Sequence, residues 1–165
     1  MERARISMSN SQRADSSDAP RLSARPKRTI RRGVIGILHD AGRYLLIQRA
    51  PGVALGGAWC FPGGHIEPNE NARRAVIREL HEELGIHVRP FHRLGVVAGR
   101  PDVMLAIWLV ERVAGAFRPR ECEIADMAWL TGEQIRAHPR GLPSNLPVVD
   151  RLEAWRRNGA IQGDD

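Results

Sequence analysis

Cysteine is scarce in this chain: Cys60 and Cys122 are the only two in 165 residues, and they form no CxxC pair. A disulfide framework and a cysteine-based zinc site are therefore not suggested, and both thiols are expected to be reduced and structural. Also lacking is any run near the roughly 18 apolar residues that a membrane-spanning helix needs. No apolar secretory core follows the N-terminus. The Arg- and Ser-rich start carries Glu2, Asp15 and Asp18, which break the acid-poor pattern of an organellar transit peptide. A cytoplasmic protein without a membrane partner is the expectation. Internal repeats are missing too, so the length reads as one domain, big enough to bury a core without staples.

A net positive charge is missing from most of the chain. The net charge is +6 overall, yet residues 1–32 hold nine Arg or Lys against three acids, while residues 33–165 hold sixteen of each. The basic segment has no aromatic residue to stack on a base and no hydrophobic periodicity. It reads as a disordered, solvated tail over residues 1–30 rather than as a nucleic-acid surface. A globular domain is expected over 31–160, followed by a flexible end at 161–165.

Within that domain Val34, Ile35, Ile37 and Leu38 form a β-prone run. Asp40 to Arg43 reads as a turn and Tyr44 to Gln48 as a second apolar run, together suggesting a β-hairpin. Pro51 to Gly57 is a loop, Trp59 to Phe61 a short strand, and Pro62-Gly63-Gly64 a sharp break. A helix is expected from about Glu70 to Leu84, with Gly85 as its left-handed cap. Strands follow at about His87 to Ala98, Val103 to Arg112 and Met127 to Leu130. Thr131 is placed to cap a short helix, and Ser144 or Asn145 to cap a last one running to about Arg157. The order strands, helix, strands, helix favours an α/β fold, a mixed sheet with helices on both faces.

The segment richest in chemistry runs from Gly64 to Ile86. On a helix turning about 100° per residue, Glu79, Glu82 and Glu83 fall within an arc of roughly 100°. Val76, Leu80 and Leu84 form the adjoining apolar stripe, and Arg74, Arg78 and His81 take the far side. The acids repel one another and oppose the negative end of the helix dipole, so a compensating positive charge is expected. Hard oxygen donors in a cluster suit Mg²⁺, with Mn²⁺ an alternative, shared with water and substrate phosphates.

These residues fill every fixed position of the pattern G-x5-E-x7-R-E-U-x-E-E-x-G-U, where U is aliphatic: Gly64, Glu70, Arg78, Glu79, Leu80, Glu82, Glu83, Gly85 and Ile86. The segment thus resembles a complete Nudix box. The resemblance implies a Nudix fold, an α/β/α sandwich around a mixed β-sheet. It also implies metal ligation by Glu79, Glu82, Glu83 and the Gly63 carbonyl, and an ion pair between Arg78 and Glu70 that orients Glu79. The implied chemistry is attack of water on a phosphorus of a nucleoside diphosphate derivative, with Glu79, Glu121 or Glu123 taking the proton.

Outside the box, Trp59-Cys60-Phe61-Pro62-Gly63-Gly64 and Leu142 to Pro147 are similar to the MutT-like branch. Its members convert nucleoside triphosphates, oxidised guanine nucleotides among them, to a monophosphate and pyrophosphate. By that resemblance Arg49, Phe61 and Asn145 fall at nucleoside-contacting positions, and His65, just after the two glycines, is a further substrate-binding candidate. Phe61 reads equally well as core, Arg49 as the partner of a surface acid and Asn145 as a helix cap. The chain departs from the branch at His65, where Lys is common, and at Arg100-Pro101-Asp102. The partner implied is a small nucleotide, and the assembly a monomer or homodimer. Nucleotide sugars, dinucleotides or RNA 5′ ends are alternative substrates, and a non-catalytic nucleotide sensor is a further alternative.

Overall fold

The computed structural model describes residues 29–159. The expected basic tail, apart from Thr29 and Ile30, and the expected flexible end at 161–165 lie outside them. The first strand, β1 (Arg31–Ile37), has two exposed residues and then five buried ones. An unbroken apolar run of this kind belongs to a strand covered on both faces rather than to an amphipathic hairpin arm. Its partner is not the next run in sequence. β1 pairs in parallel with a distant strand, Gly33 opposite Leu105 and Ile37 opposite Leu109. The expected hairpin is therefore corrected. Only β2 (His39–Asp40) and the start of β3 (Arg43–Arg49) form a tight antiparallel pair across Ala41-Gly42, both at positive φ, which suits such a turn.

After β4 (Trp59–Cys60) comes α1 (Ala72–Leu84). It starts two residues later than expected because Asn71 is the N-cap, its side chain accepting from the Arg74 N–H. It ends as expected at Gly85, whose φ of 70° is left-handed and whose N–H returns to the His81 carbonyl. Two long strands, β5 (His87–Arg100) and β6 (Val103–Ala114), pair antiparallel, and β6 is the strand that meets β1. β7 (Ile124–Leu130) begins three residues before the expected strand because it runs along β3 as far as Arg49. α2 (Gly132–Ala137) opens with a complete capping box between Thr131 and Gln134. α3 (Asn145–Arg157) closes the described fold.

The sheets are β1-β6-β5, and β3 flanked by β2, β4 and β7. Alternating side chains divide the core in two. Val34, Ala106 and Val110 face Val76, Leu80 and Leu84 of α1, while Ile35, Ile107 and Leu109 face Ile135 of α2 and Val148 and Leu152 of α3. Helices thus cover both faces of a mixed sheet, the α/β/α arrangement expected. Among the described residues, no helix is long and apolar enough to cross a membrane.

Candidate active site

The site grows from the junction of β4, the glycine turn and α1. Gly63 and Gly64 bring the backbone against β1, where the Val34 N–H donates to the Gly64 carbonyl at 2.9 Å. A Cβ on Gly64 would occupy the place of the Glu79 carboxylate, so glycine is required there for the acid to lie against the turn. The Gly63 N–H donates to Glu83 Oε2 at 2.8 Å. Both carboxylates are thereby seated at the turn by residues that the Gly-Gly pair alone can place.

Glu83 is 6% exposed, an unusual degree of burial for a carboxylate. Burial pushes its carboxyl up to about 8; Glu79 and Glu123 push in the same direction, against the Gly63 N–H and Arg49. Burial also raises Glu79, opposed by Arg78. Beyond burial, the neighbouring acids raise one another, Glu82 acting on Glu79, and Glu79 and Glu123 on Glu83, a repulsion that a bound cation would relieve.

Arg78 corrects the expectation that it lies on the far side of the helix from the acids. Its guanidinium donates to Glu70 Oε1 at 3.1 Å and Oε2 at 2.9 Å, to Glu79 at 3.0 Å, to Glu82 at 3.2 Å and to the His65 carbonyl at 2.9 Å. Arg78 and Glu82 stand four residues apart, about 40° around the helix, so the guanidinium borders the acidic arc and only Arg74 and His81 take the far side. Hydrogen bonding from Arg78 holds Glu70 below the usual carboxylate range. The Glu70–Arg78 pair therefore straps the loop to the helix.

Glu79 and Glu83 line a cavity of about 570 Å³ together with Glu123, Arg49, Phe61 and Asn145. Glu121 is exposed and does not line it. Glu123 is there because its backbone is fixed beside β3, the Ala50 N–H donating to the Glu123 carbonyl at 2.8 Å. Arg49 sits in the wall with its Nε donating to the Ala54 carbonyl at 2.6 Å. Phe61 is 3% exposed and packs in the core with Ile35 and Val148, so it is a core residue that also closes the cavity. His65 is exposed at the rim.

Asn145 overturns the capping alternative. Ser144 occupies the N-cap of α3, yet no side-chain cap bond forms there. The Asn145 amide, 2% exposed, instead donates from Nδ2 to the Trp59 carbonyl at 2.9 Å. It ties α3 to β4, 86 positions away in sequence. Sequence reasoning missed Cys60, Leu55 and Leu105 as lining residues. Leu105 owes its place to the parallel register with β1, which leaves no local signal. Cys60 is buried beside Arg49, and burial raises its thiol to about 11.

Glu82 stands apart from Glu79 and Glu83. Half-exposed and engaged by Arg78, it does not line the cavity. Among the described residues no three acidic, histidine or cysteine side chains converge tightly enough to enclose a cation. The donor set still fits a hard divalent ion: two carboxylates at one turn, one of them buried and bonded only through a backbone N–H, with Glu82 on the adjoining turn.

A NUDIX domain family model matches residues 27–152. Over 127 residues, 74% of this chain and 91% of the relative, the sequence is 32% identical to the CTP pyrophosphohydrolase of Escherichia coli. Over 123 residues, 72% of this chain and 93% of the relative, it is 32% identical to the 8-oxo-dGTP diphosphatase of the same organism. The solution structure of the E. coli ORF135 protein superposes with a TM-score of 0.67 at 27% identity, covering 82% of this chain and 96% of the other. Members of this family generally use divalent metal cations. With the box complete and the match running from the first strand into the last helix, the chain belongs to the NUDIX family, in its MutT-like group of nucleotide pyrophosphohydrolases.

Proposed function

We propose that the protein hydrolyses nucleoside triphosphates to a monophosphate and pyrophosphate in a Mg²⁺-dependent reaction, with oxidised purine nucleotides among its candidate substrates. The observation that carries this reading is the shared cavity, in which the acids of the Nudix helix meet an arginine and an apolar wall. The names of the two E. coli relatives, one acting on CTP and one on 8-oxo-dGTP, support a nucleotide substrate without selecting the base.

Glu79, Glu82 and Glu83, with the Gly63 carbonyl, would hold the ion. When bound, it neutralises the polyphosphate and makes a water more acidic. The chain's own residues do the rest. Arg78 positions Glu79 and Glu82 through its fork of N–H donors. The Gly63 N–H fixes one oxygen of Glu83, leaving the other to the cavity. Glu123, which lines the same cavity and is held by Arg120 at 3.0 Å, takes the proton as the water oxygen bonds to phosphorus and the phosphorus–oxygen bond to the leaving pyrophosphate breaks. Arg49 offers its guanidinium to a phosphate or to the nucleoside. Phe61, Leu105 and Val148 form an apolar wall for the base, and the Asn145 Oδ1 is available as an acceptor, since Nδ2 is what the Trp59 carbonyl engages.

A panel of canonical and oxidised nucleoside triphosphates, nucleotide sugars and dinucleotides, with products identified, tests the proposal. Release of pyrophosphate and a nucleoside monophosphate from a triphosphate supports it. Turnover confined to nucleotide sugars or dinucleotides overturns it.

A further inference from the structure

Leu55 is out of keeping with its surroundings. It lies in the loop between β3 and β4, at a φ of +61°, a conformation that costs a branched, bulky side chain and suits glycine. Glycine follows at both Gly56 and Gly57, so the local sequence does not avoid the residue that would relieve the strain. The leucine side chain gains no core burial in return: it is 48% exposed. Yet the loop is closely tied. The Val53 N–H donates to the Ala50 carbonyl, the Ala58 N–H to the Leu55 carbonyl, and the Gly57 N–H to the Arg49 carbonyl. Gln48 Nε2 reaches the Gly57 carbonyl at 3.2 Å, and Arg49 Nε reaches the Ala54 carbonyl at 2.6 Å. A braced loop thus holds a strained, solvent-facing leucine on the wall of the same cavity as Phe61, Asn145 and Glu83.

A strained backbone carrying exposed apolar surface at a cavity mouth is accounted for when a ligand covers that surface. We propose that Leu55 is a substrate-binding residue that packs on the nucleobase and contributes to nucleotide affinity. An aliphatic side chain has no attraction for the polyphosphate, whose place is at Glu79, Glu83 and the metal; a flat heterocycle buries it well. The bond from Arg49 to the Ala54 carbonyl makes the leucine's position depend on the arginine beside it. The inference rests on the nucleotide reading above and adds to it the residue that grips the base.

Leu55→Gly and Leu55→Asn, both tolerant of positive φ, test it in the full-length protein. Measurements are the melting temperature, the Kd of a non-hydrolysable nucleoside triphosphate analogue with Mg²⁺, kcat and KM for the hydrolysed nucleotide, and the inhibition constant of tripolyphosphate, which lacks a base. The expected result is a melting temperature equal to or above that of the wild type and analogue binding about tenfold weaker. KM should rise while kcat changes little, and inhibition by tripolyphosphate should be unaffected. A structural role would instead lower the melting temperature and leave the analogue's Kd unchanged, overturning the proposal. An equal loss of tripolyphosphate affinity would also overturn it, by removing the base from the contact. If the wild type binds the analogue through Leu55 but turns over no triphosphate, the proposed reaction falls while this inference stands. If it turns over triphosphate and neither variant changes Kd or KM, the inference falls alone.

Discussion

Glu83 and Asn145 are the only two buried polar side chains among the described residues, and each sits in the cavity wall for a different physical reason. For Glu83 the burial disfavours its charge, so replacing the carboxylate by an isosteric amide is tolerated by the fold. Glu83→Gln is expected to keep its circular dichroism spectrum and melting temperature while turnover falls by about 10²- to 10⁴-fold, in the range of lost acid–base or metal function. For Asn145 the bond to the Trp59 carbonyl predicts a cost in stability whatever the substrate. Asn145→Ala removes one of the two donors to that carbonyl, which keeps the Leu142 N–H, and should lower stability by about 1 kcal/mol in chemical denaturation. If Oδ1 also reads the base, the same variant changes the ratio of kcat/KM between a purine and a pyrimidine triphosphate; an unchanged ratio leaves it an anchor alone. The acid cluster was legible in the sequence because its spacing is local and helical. Asn145 was legible as a residue of interest but not in its role, since its partner lies across the fold.

At the scale of elements, α1 is the part that spacing described well. Its apolar stripe, its acids and its terminal Gly85 are all properties of thirteen consecutive residues. β1 was misread for the opposite reason. An apolar run followed by a turn and another run looks like a hairpin, and nothing local says that Val34 will face Ala106 instead. Glu121 and Glu123 could not be separated in sequence because the loop before β7 has no period; the β3–β7 pairing separates them. The strap between the loop and α1 makes an acid-sensitive prediction. Arg78 holds the Glu70 carboxyl below its ordinary value, so the folded state binds that proton less readily than the unfolded chain. The stabilisation is present above the ordinary Glu range and is lost as pH falls through the lowered value. The melting temperature of the wild type should therefore exceed that of Glu70→Gln near neutrality, and the gap should close as pH drops below about 4. A gap that widens in acid would contradict the strap. Asn71→Ala should cost about 1 kcal/mol by removing the cap on the Arg74 N–H.

For the molecule as a whole, the partition of charge is the clearest long-range signal. The net +6 belongs to residues 1–32, and the remaining chain is balanced. A chain beginning at Pro26 is expected to retain the wild-type melting temperature and free-nucleotide turnover within about twofold; a large loss in either would assign the segment a part in the domain. The division of the core into two layers, with α1 on one side and α2 and α3 on the other, places the acids of one helix and the Asn145 of another around a single cavity between them. The central claim is that this cavity cleaves a nucleoside triphosphate with a divalent cation held on the Nudix helix. The most direct test follows pyrophosphate and nucleoside monophosphate release from a triphosphate for the wild type, Glu82→Gln and Glu83→Gln, with Mg²⁺ and with chelator. The account predicts release by the wild type only when Mg²⁺ is present, and a loss of about 10²-fold or more in each variant with its fold intact. Near wild-type release by both variants, or release that persists with the cation removed, would contradict it.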